Sequence, residues 1–331
     1  MATIKDVAEL AGVSVATVSR VINHSPKASK MAKETVTKAM HTLGYRPNVY
    51  ARALVSQKTD TVGVLVHDVS DQFFGSIVRS VENETQKVGK YILIGNGFHD
   101  ETKERAALER LISSRCDAFI VHSKALSDEE LGNYAHDYPS MVFINRIVKG
   151  YEHRSIDLDN IQGERLATQH LIKNGHSDII FICSSHHISD VDQRIAGFKQ
   201  ALSEANIPFN DNMIIYNSPY EEGGEKAAQE LLQRGLKPTA IATYNDSMAI
   251  GVLSVLTDNG FDVPDDISLI GFDNLTISRY LHPRLTTINY PIDIIAIQAT
   301  RLALSLVEGH AISVNNLYIP TLVPRYSVKR I

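Results

Sequence analysis

At 331 residues the chain exceeds one compact core and predicts two or three domains, while 44% hydrophobic and 21% charged residues match an ordinary globular protein. No apolar run reaches the ~18–20 residues of a membrane span, and MATIKDVAEL carries charges where a secretory leader is apolar, so a cytoplasmic protein without a membrane partner is expected. The net charge of −5 hides a basic head (nine Lys/Arg against three acids in residues 1–58) on an acidic remainder (24 against 35), which points the head at a polyanion.

Thr3-Ile4-Lys5-Asp6 sets a hydroxyl three residues ahead of a carboxylate, an arrangement that starts a helix. Ile4, Val7, Ala8 and Ala11 follow at helical spacing, and Gly12 breaks the helix. Ser14 restarts it, with Val18, Val21 and Ile22 returning to the same core. A third helix from about Met31 to Leu43, capped by Ser29 and ended by Gly44 and Pro47, adds Val36, Ala39, Met40 and Leu43. Two short helices joined by a tight glycine turn make a helix-turn-helix. Its second helix is expected in a major groove, with Val15, Ala16 and Thr17 first and Ser19 and Arg20 one turn on. Val15 and Ala16 suit a thymine methyl; Arg20 suits a guanine or a phosphate.

From Thr61 apolar runs alternate with helical stretches: VGVLV (62–66), YILIG (91–95), AFIVH (118–122), MVFIN (141–145), IIFIC (179–183), MIIY (213–216), TAIATY (239–244) and ISLIGF (267–272). Eight short buried runs between helices predict βαβ units in two doubly wound parallel-sheet lobes, divided near residue 160. Ligands of such sheets bind beyond the carboxyl ends of strands. Polar residues gather there: Asp71 and Phe73 after the first run, Asp190 and Arg194 one helical turn apart after IIFIC, Asn245 after TAIATY, and Asp273 after ISLIGF. Carboxylates and amides chelate hydroxyls, and an aromatic ring stacks on a sugar's C–H face, so the set reads as a polyol site. Each Asp or Asn at a strand end also suits a helix cap, the role expected of Asp246.

Catalysis finds little support. The sequence has no P-loop, no Rossmann glycine loop, no G-x-S-x-G and no metal-binding His pair, so no enzyme, cofactor or metal is expected. His186-His187 are adjacent on one segment and suit a solvated or supporting role; the other histidines read as scattered. Cys116 and Cys183 read as two buried thiols.

The run TIKDVAELAGVSVATVSRVIN resembles the signature of the lac repressor family of bacterial regulators. TVGVLVHDVSDQFFG, the INR triplet at 144–146, ISDVDQR, YNDSMA and SLIGFDN extend the resemblance to the galactose-responsive branch of that family and to periplasmic sugar-binding proteins. The resemblance implies an all-α helix-turn-helix head (1–47), a hinge helix and linker (48–59), and an α/β periplasmic-binding-protein-like sensor (60–331). The sensor's first lobe would span about 60–160 and 291–320, and its second about 161–290 and 321–331. It also implies DNA contacts from Thr3, Ser14, Asn23, Ser29, Tyr45, Asn48 and Ala51, with Leu54 as a wedge in the minor groove. For the effector, D-galactose, it implies Asp71, Phe73, Asp190, Arg194, Asn245 and Asp273, with Asn145 as a further candidate. Related sugar binders often supply a Trp from the second lobe; this chain has none, and Tyr220 is the nominee. The C-terminal LYIPTLVPRYSVKRI lacks leucine heptads, so the family implies a homodimer on a palindromic operator. A corepressor-type regulator and a sugar-binding transport component stay open as rival readings.

Overall fold

A computed structural model describes residues 2–22, 25–45, 59–310 and 312–331. The chain divides into two compact units, Met1–Asp60 and Thr61–Ile331.

In the first unit, α1 (Ile4–Ala11) begins with reciprocal caps: the Asp6 amide donates to Thr3 Oγ1 (3.4 Å), and the Thr3 amide donates to Asp6 Oδ2 (2.7 Å). Gly12 ends the helix at φ +65°, a left-handed conformation that costs an L side chain energy. Ser14 Oγ accepts from the Thr17 amide at the start of α2 (Val15–Ile22), and Ser29 Oγ accepts from the Ala32 amide at the start of α3 (Lys30–Thr42). The three helices close on Val7, Ala8, Val18, Val21, Ala28, Val36 and Ala39, all buried.

The second unit holds two six-stranded sheets. The first comprises β1 (Thr61–Val66), β2 (Tyr91–Asn96), β3 (Ala118–Val121), β4 (Met141–Ile144), β5 (Ser155–Leu158) and β11 (Leu317–Tyr318), in the order β11-β5-β4-β3-β1-β2. The second comprises β6 (Ile179–Ser184), β7 (Ile214–Asn217), β8 (Ala240–Thr243), β9 (Ser268–Asp273), β10 (Thr286–Asn289) and β12 (Thr321–Val323), in the order β12-β10-β9-β8-β6-β7. Every pairing is parallel except β10 with β12. Both lobes reverse strand order beside their first strand, at β3/β1 and β8/β6, where a ligand crevice opens.

The helices are α4 (Gln72–Gln86), α5 (Glu101–Ser113), α6 (Asp128–Asp137), α7 (Asn160–Lys173), α8 (Ser189–Glu204), α9 (Glu221–Gln233), α10 (Asp246–Asp258) and α11 (Ile292–Val307). After β10 the chain crosses back, and α11 packs on α4, β3, β4 and β5. No helix among the described residues is long and apolar enough to cross a membrane. Cys116 and Cys183 are free and buried.

Among the described residues twelve strands stand where eight were expected. The unexpected ones, β5, β10, β11 and β12, are two to four residues long, and three of them carry Ser, Thr, Asp or Asn. Thr286 and Thr287 are fully buried because their hydroxyls are satisfied: Thr286 Oγ1 accepts from the Arg325 amide (2.9 Å), and Thr287 Oγ1 donates to Asp246 Oδ1 (2.6 Å). A search for apolar runs does not register a strand buried through threonines.

Candidate functional site

On the head, the exposed half of α2 is assembled from its first turn. Val15, Ala16 and Arg20 are exposed, with Thr17 and Ser19 partly so, while Val18 and Val21 face the core. Val15 is 41% exposed, an apolar side chain left in water at a helix start where a base edge would cover it. Ser14 Oγ lies 3.0 Å from Thr17 Oγ1. Thr3 and Ser29 act as caps yet stay exposed, and Tyr45 is half-buried against the head's core. Asn23, Asn48, Ala51 and Leu54, and with them the expected hinge helix, lie outside the described residues.

On the body, one cavity lies between the lobes, and Asp71, Phe73, Asn145, Asp190, Arg194, Tyr220, Asn245 and Asp273 all line it. Asp71 sits one residue ahead of α4, and its Oδ1 accepts from the Phe73 amide (2.8 Å). Phe73 meets Tyr290 edge-on at 5.0 Å between centroids. Asp190 and Arg194 project from the first turns of α8, both buried. Arg194 lies over the Phe272 ring at 3.6 Å and the Tyr244 ring at 4.3 Å. Its Nε donates to Asn160 Oδ1 (3.1 Å), an Nη donates to the Tyr244 carbonyl, and the other reaches Asp273 Oδ1 at 3.7 Å. The guanidinium is thus fixed on its edges and faces before any ligand arrives.

Asn145 joins the lobes. The Tyr290 hydroxyl donates to Asn145 Oδ1, which orients the amide so that Nδ2 donates to Asp190 Oδ2 (3.1 Å) and to His122 Nε2 (3.2 Å). The imidazole proton of His122 is therefore on Nδ1. Lys124, absent from the sequence-derived set, follows β3 and gives its ammonium to Asp190 Oδ1 (2.5 Å) and to the Asn145 carbonyl. Burial alone would raise the Asp190 carboxyl; Lys124, then Arg194 and Asn145, hold it below the ordinary range. Asp273 is pushed well above that range, because burial and the nearby Asp246, Asp71 and Asp190 outweigh Arg194. Burial likewise raises Asp71.

Strain collects here. Asn145 (φ 59°), Asp273 (φ 101°) and His99 (φ 50°) are non-glycine residues in left-handed conformations at strand ends around one cavity. Each such conformation costs on the order of 1–3 kcal/mol and persists where the surrounding structure holds it.

Two expectations are corrected. Asn245, not Asp246, caps α10: its Oδ1 accepts from the Met248 amide (2.9 Å) while Nδ2 donates to the Pro219 carbonyl (2.8 Å). Asp246 is instead fully buried, accepting from the Leu275 amide (2.7 Å) and from Thr287. The histidines, moreover, are not scattered. His67, His99, His122 and His186 line the same cavity, and the His67 and His99 rings stack at 3.9 Å. His186 is half-buried with its ring 5.6 Å from that of His99, whereas His187 is exposed. Burial first, then repulsion from neighbouring imidazoles, lowers His67 to about 3 and also lowers His122 and His186. The Nδ1 atoms of His67 and His122 are buried without a hydrogen-bond partner among the described residues, so ligand hydroxyls have groups to satisfy. Among the described residues no group of three or more His, Cys, Asp or Glu is placed to hold a metal ion. The sequence signal for the histidines was their position: His67, His99 and His122 each follow a strand end of the first sheet.

Close helix packing places Tyr220 and Asn245 side by side. A Cβ at Gly224 would lie 2.1 Å from the Met248 carbonyl oxygen, so only glycine lets α9 approach α10 this closely.

Comparisons with known proteins match this architecture. Residues 3–48 fit the family model of bacterial regulatory proteins of the lacI family, and residues 168–328 fit that of the periplasmic binding protein-like domain. The chain is 54% identical to the HTH-type transcriptional regulator GalR of Escherichia coli K12, over 99% of this chain and 96% of that one. It is 50% identical to the HTH-type transcriptional regulator GalS of Salmonella typhimurium LT2, over 99% and 97%. Among solved structures, the lac repressor dimer bound to operator and an anti-inducer superposes with a TM-score of 0.85 at 26% identity, covering 99% of each chain. Similarity at this level along the entire length makes the assignment: the chain belongs to the lacI family of bacterial transcriptional regulators.

Proposed function

We propose that this regulator is a cytoplasmic, sugar-responsive repressor, which holds a palindromic operator as a homodimer and releases it when D-galactose fills the cavity. Residues 1–47 would read the operator, 48–59 would form the hinge with Leu54 as its wedge, and 60–331 would sense the sugar. The observation that carries the reading is the convergence of Asp71, Asp190, Asp273, Arg194 and Phe73 on one space between the lobes. Carboxylates there chelate paired hydroxyls, the guanidinium donates to ring and hydroxyl oxygens, and Phe73 and Tyr220 offer faces to C–H groups. Arg194 is the only permanent cation lining the cavity among the described residues, and it is already engaged by Asp273. With Lys124 committed to Asp190 and Arg194 to Asp273, an anionic ligand would find no free counter-charge there, so the chemistry favours a neutral polyol. Galactose in particular rests on the resemblance to the galactose-responsive branch of the family.

Homodimerisation has support of its own in β2. This strand ends the first sheet and leaves Tyr91, Leu93 and Ile94 exposed, an apolar edge that isolated chains avoid.

The test is fluorescence anisotropy of a selected palindromic operator at fixed salt, with and without galactose. The expected result is weaker binding with galactose and, for Arg194→Ala, full operator affinity that no longer responds to the sugar. If Arg194→Ala still releases DNA at the wild-type sugar concentration, the assignment of Arg194 is wrong. Tighter binding with a ligand would make the chain a corepressor-type regulator instead.

A further inference from the structure

A hydrogen bond that no part of the sugar reading requires bridges the lobes at the cavity wall. His67 Nε2, on the first lobe, lies 2.8 Å from the Tyr220 hydroxyl, on the second. Each partner is anchored independently. His67 directly follows β1, and its carbonyl accepts from the Gly97 and Phe98 amides at 3.2 and 2.9 Å. Its ring stacks on His99 and is flanked by Phe74 at 5.3 Å and Phe98 at 6.1 Å, all from the first lobe, so it is a fixed post. Tyr220 is the residue before α9, and its carbonyl accepts from the Gly223 and Gly224 amides. The preceding Pro219 is held through its carbonyl by Asn245. Because each residue is tied to its own lobe, the bond between them exists only when the lobes are together.

Tyr220 also belongs to a wall with a second hollow behind it. That hollow shares Asp71, Tyr220, Ser247 and Leu275 with the cavity and is otherwise lined by Ser70, Gln72, Glu221 and Ile277, all exposed. An inner compartment and an outer vestibule therefore meet at the tyrosine, and the His67 bond holds that tyrosine in place.

We propose that the His67–Tyr220 pair is a size filter, which restricts the effector to an unsubstituted monosaccharide. Tyr220 lines both spaces, so a sugar substituent turned toward that wall would have to displace its ring, which the bond to His67 resists. With the bond removed, the vestibule becomes a subsite for that substituent. The proposal rests on the sugar reading and specifies the class of sugar. The histidine is neutral, so the filter does not depend on an ion pair.

The experiment is isothermal titration calorimetry of the full-length wild type, His67→Ala and Tyr220→Phe with D-galactose and with galactoses methylated singly at O1 or O6. Tyr220→Phe keeps the ring and removes only the hydroxyl, so it tests the bond apart from stacking and stands in should His67→Ala fail to fold. In the wild type each methyl ether is expected to bind at least about ten-fold more weakly than galactose. Both variants should bind galactose about 2–10-fold more weakly, having lost one hydrogen bond between the lobes. At least one methyl ether should then bind within about three-fold of galactose, a difference smaller than a single neutral hydrogen bond. Wild type that accepts the ethers as readily as galactose, or variants that keep wild-type discrimination, would overturn the filter and leave the sugar reading standing. Wild type that binds no free sugar would overturn both.

Discussion

Glu164 shows what a buried residue outside the cavity does to the whole. It lies on α7, fully buried, with Thr168 Oγ1 donating to Oε1 (3.1 Å) and Oε2 without a partner among the described residues. Burial pushes its carboxyl from 4.5 up to about 8, against the pull of Arg194. The folded chain therefore keeps a proton that the unfolded chain releases. Stability present below about pH 4.5 should fall as pH rises toward 8. Glu164→Gln has the neutral shape at every pH. The variant is expected to melt with the wild type near pH 5 and above it near pH 8.5, by roughly 2–4 °C for each kcal/mol of difference. Thermal unfolding followed by circular dichroism at the two pH values decides it; identical pH dependence in both proteins would show that Glu164 is not protonated in the fold. At this scale the sequence showed candidates and not their partners. Asp190 and Arg194 stood one turn apart in the chain, but Lys124, 66 residues before Asp190, came into reach only through the meeting of two lobes. Asn245 and Asp246 are adjacent and chemically alike, and which one caps α10 depends on Thr287 and Leu275, which are remote in sequence.

Among the elements, the turn between α1 and α2 isolates a backbone effect. A Cβ at Gly12 would meet nothing within 4 Å, so Gly12→Ala costs only what the left-handed φ of +65° costs an L residue, about 1 kcal/mol. The expected outcome is faster amide exchange in α1 and α2, with protection of the Thr61–Ile331 unit unchanged. Unaltered exchange in the head would mean that the turn relaxes to a conformation alanine tolerates. The head was legible because its signals are local: a capping pair three residues apart, a glycine stop and apolar spacing within each helix. The eight apolar strands were legible for a similar reason: six are buried on both faces and read as continuous runs, and β2 and β7, at the sheet edges, keep the apolar run although partly exposed. Of the four strands that were not, β11 and β12 are sheet edges that the chain reaches by crossing between lobes, and β5 and β10 lie just inside those edges. Their pairing partners, not their own composition, make them strands.

For the molecule as a whole, the bonds across the cleft set the terms of any switch. Lys124 and Asn145 hold Asp190, and His67 holds Tyr220, so the closed arrangement has interactions of its own before a ligand contributes. A sugar chelated by Asp190 must share that carboxylate with Lys124 and Asn145. What it contributes to switching is its differential affinity for the two arrangements of the lobes, not its total affinity. If one equilibrium links the cavity to the operator, linkage requires that galactose weaken operator binding by the same factor by which operator weakens galactose binding. That factor is expected to be about 5–150-fold, the range of a typical coupling of 1–3 kcal/mol. Titrating galactose into the free protein and into its operator complex, at one salt concentration, measures one side; anisotropy with and without the sugar measures the other. Equal factors, with the operator complex binding sugar more weakly, are the signature of an induced repressor. A complex that binds sugar more tightly would reverse the sign and make the effector a corepressor. Equal sugar affinity in the two states would separate the cavity from DNA binding altogether, leaving the convergence of Asp71, Asp190, Arg194 and Asp273 as a sugar site without a regulatory output.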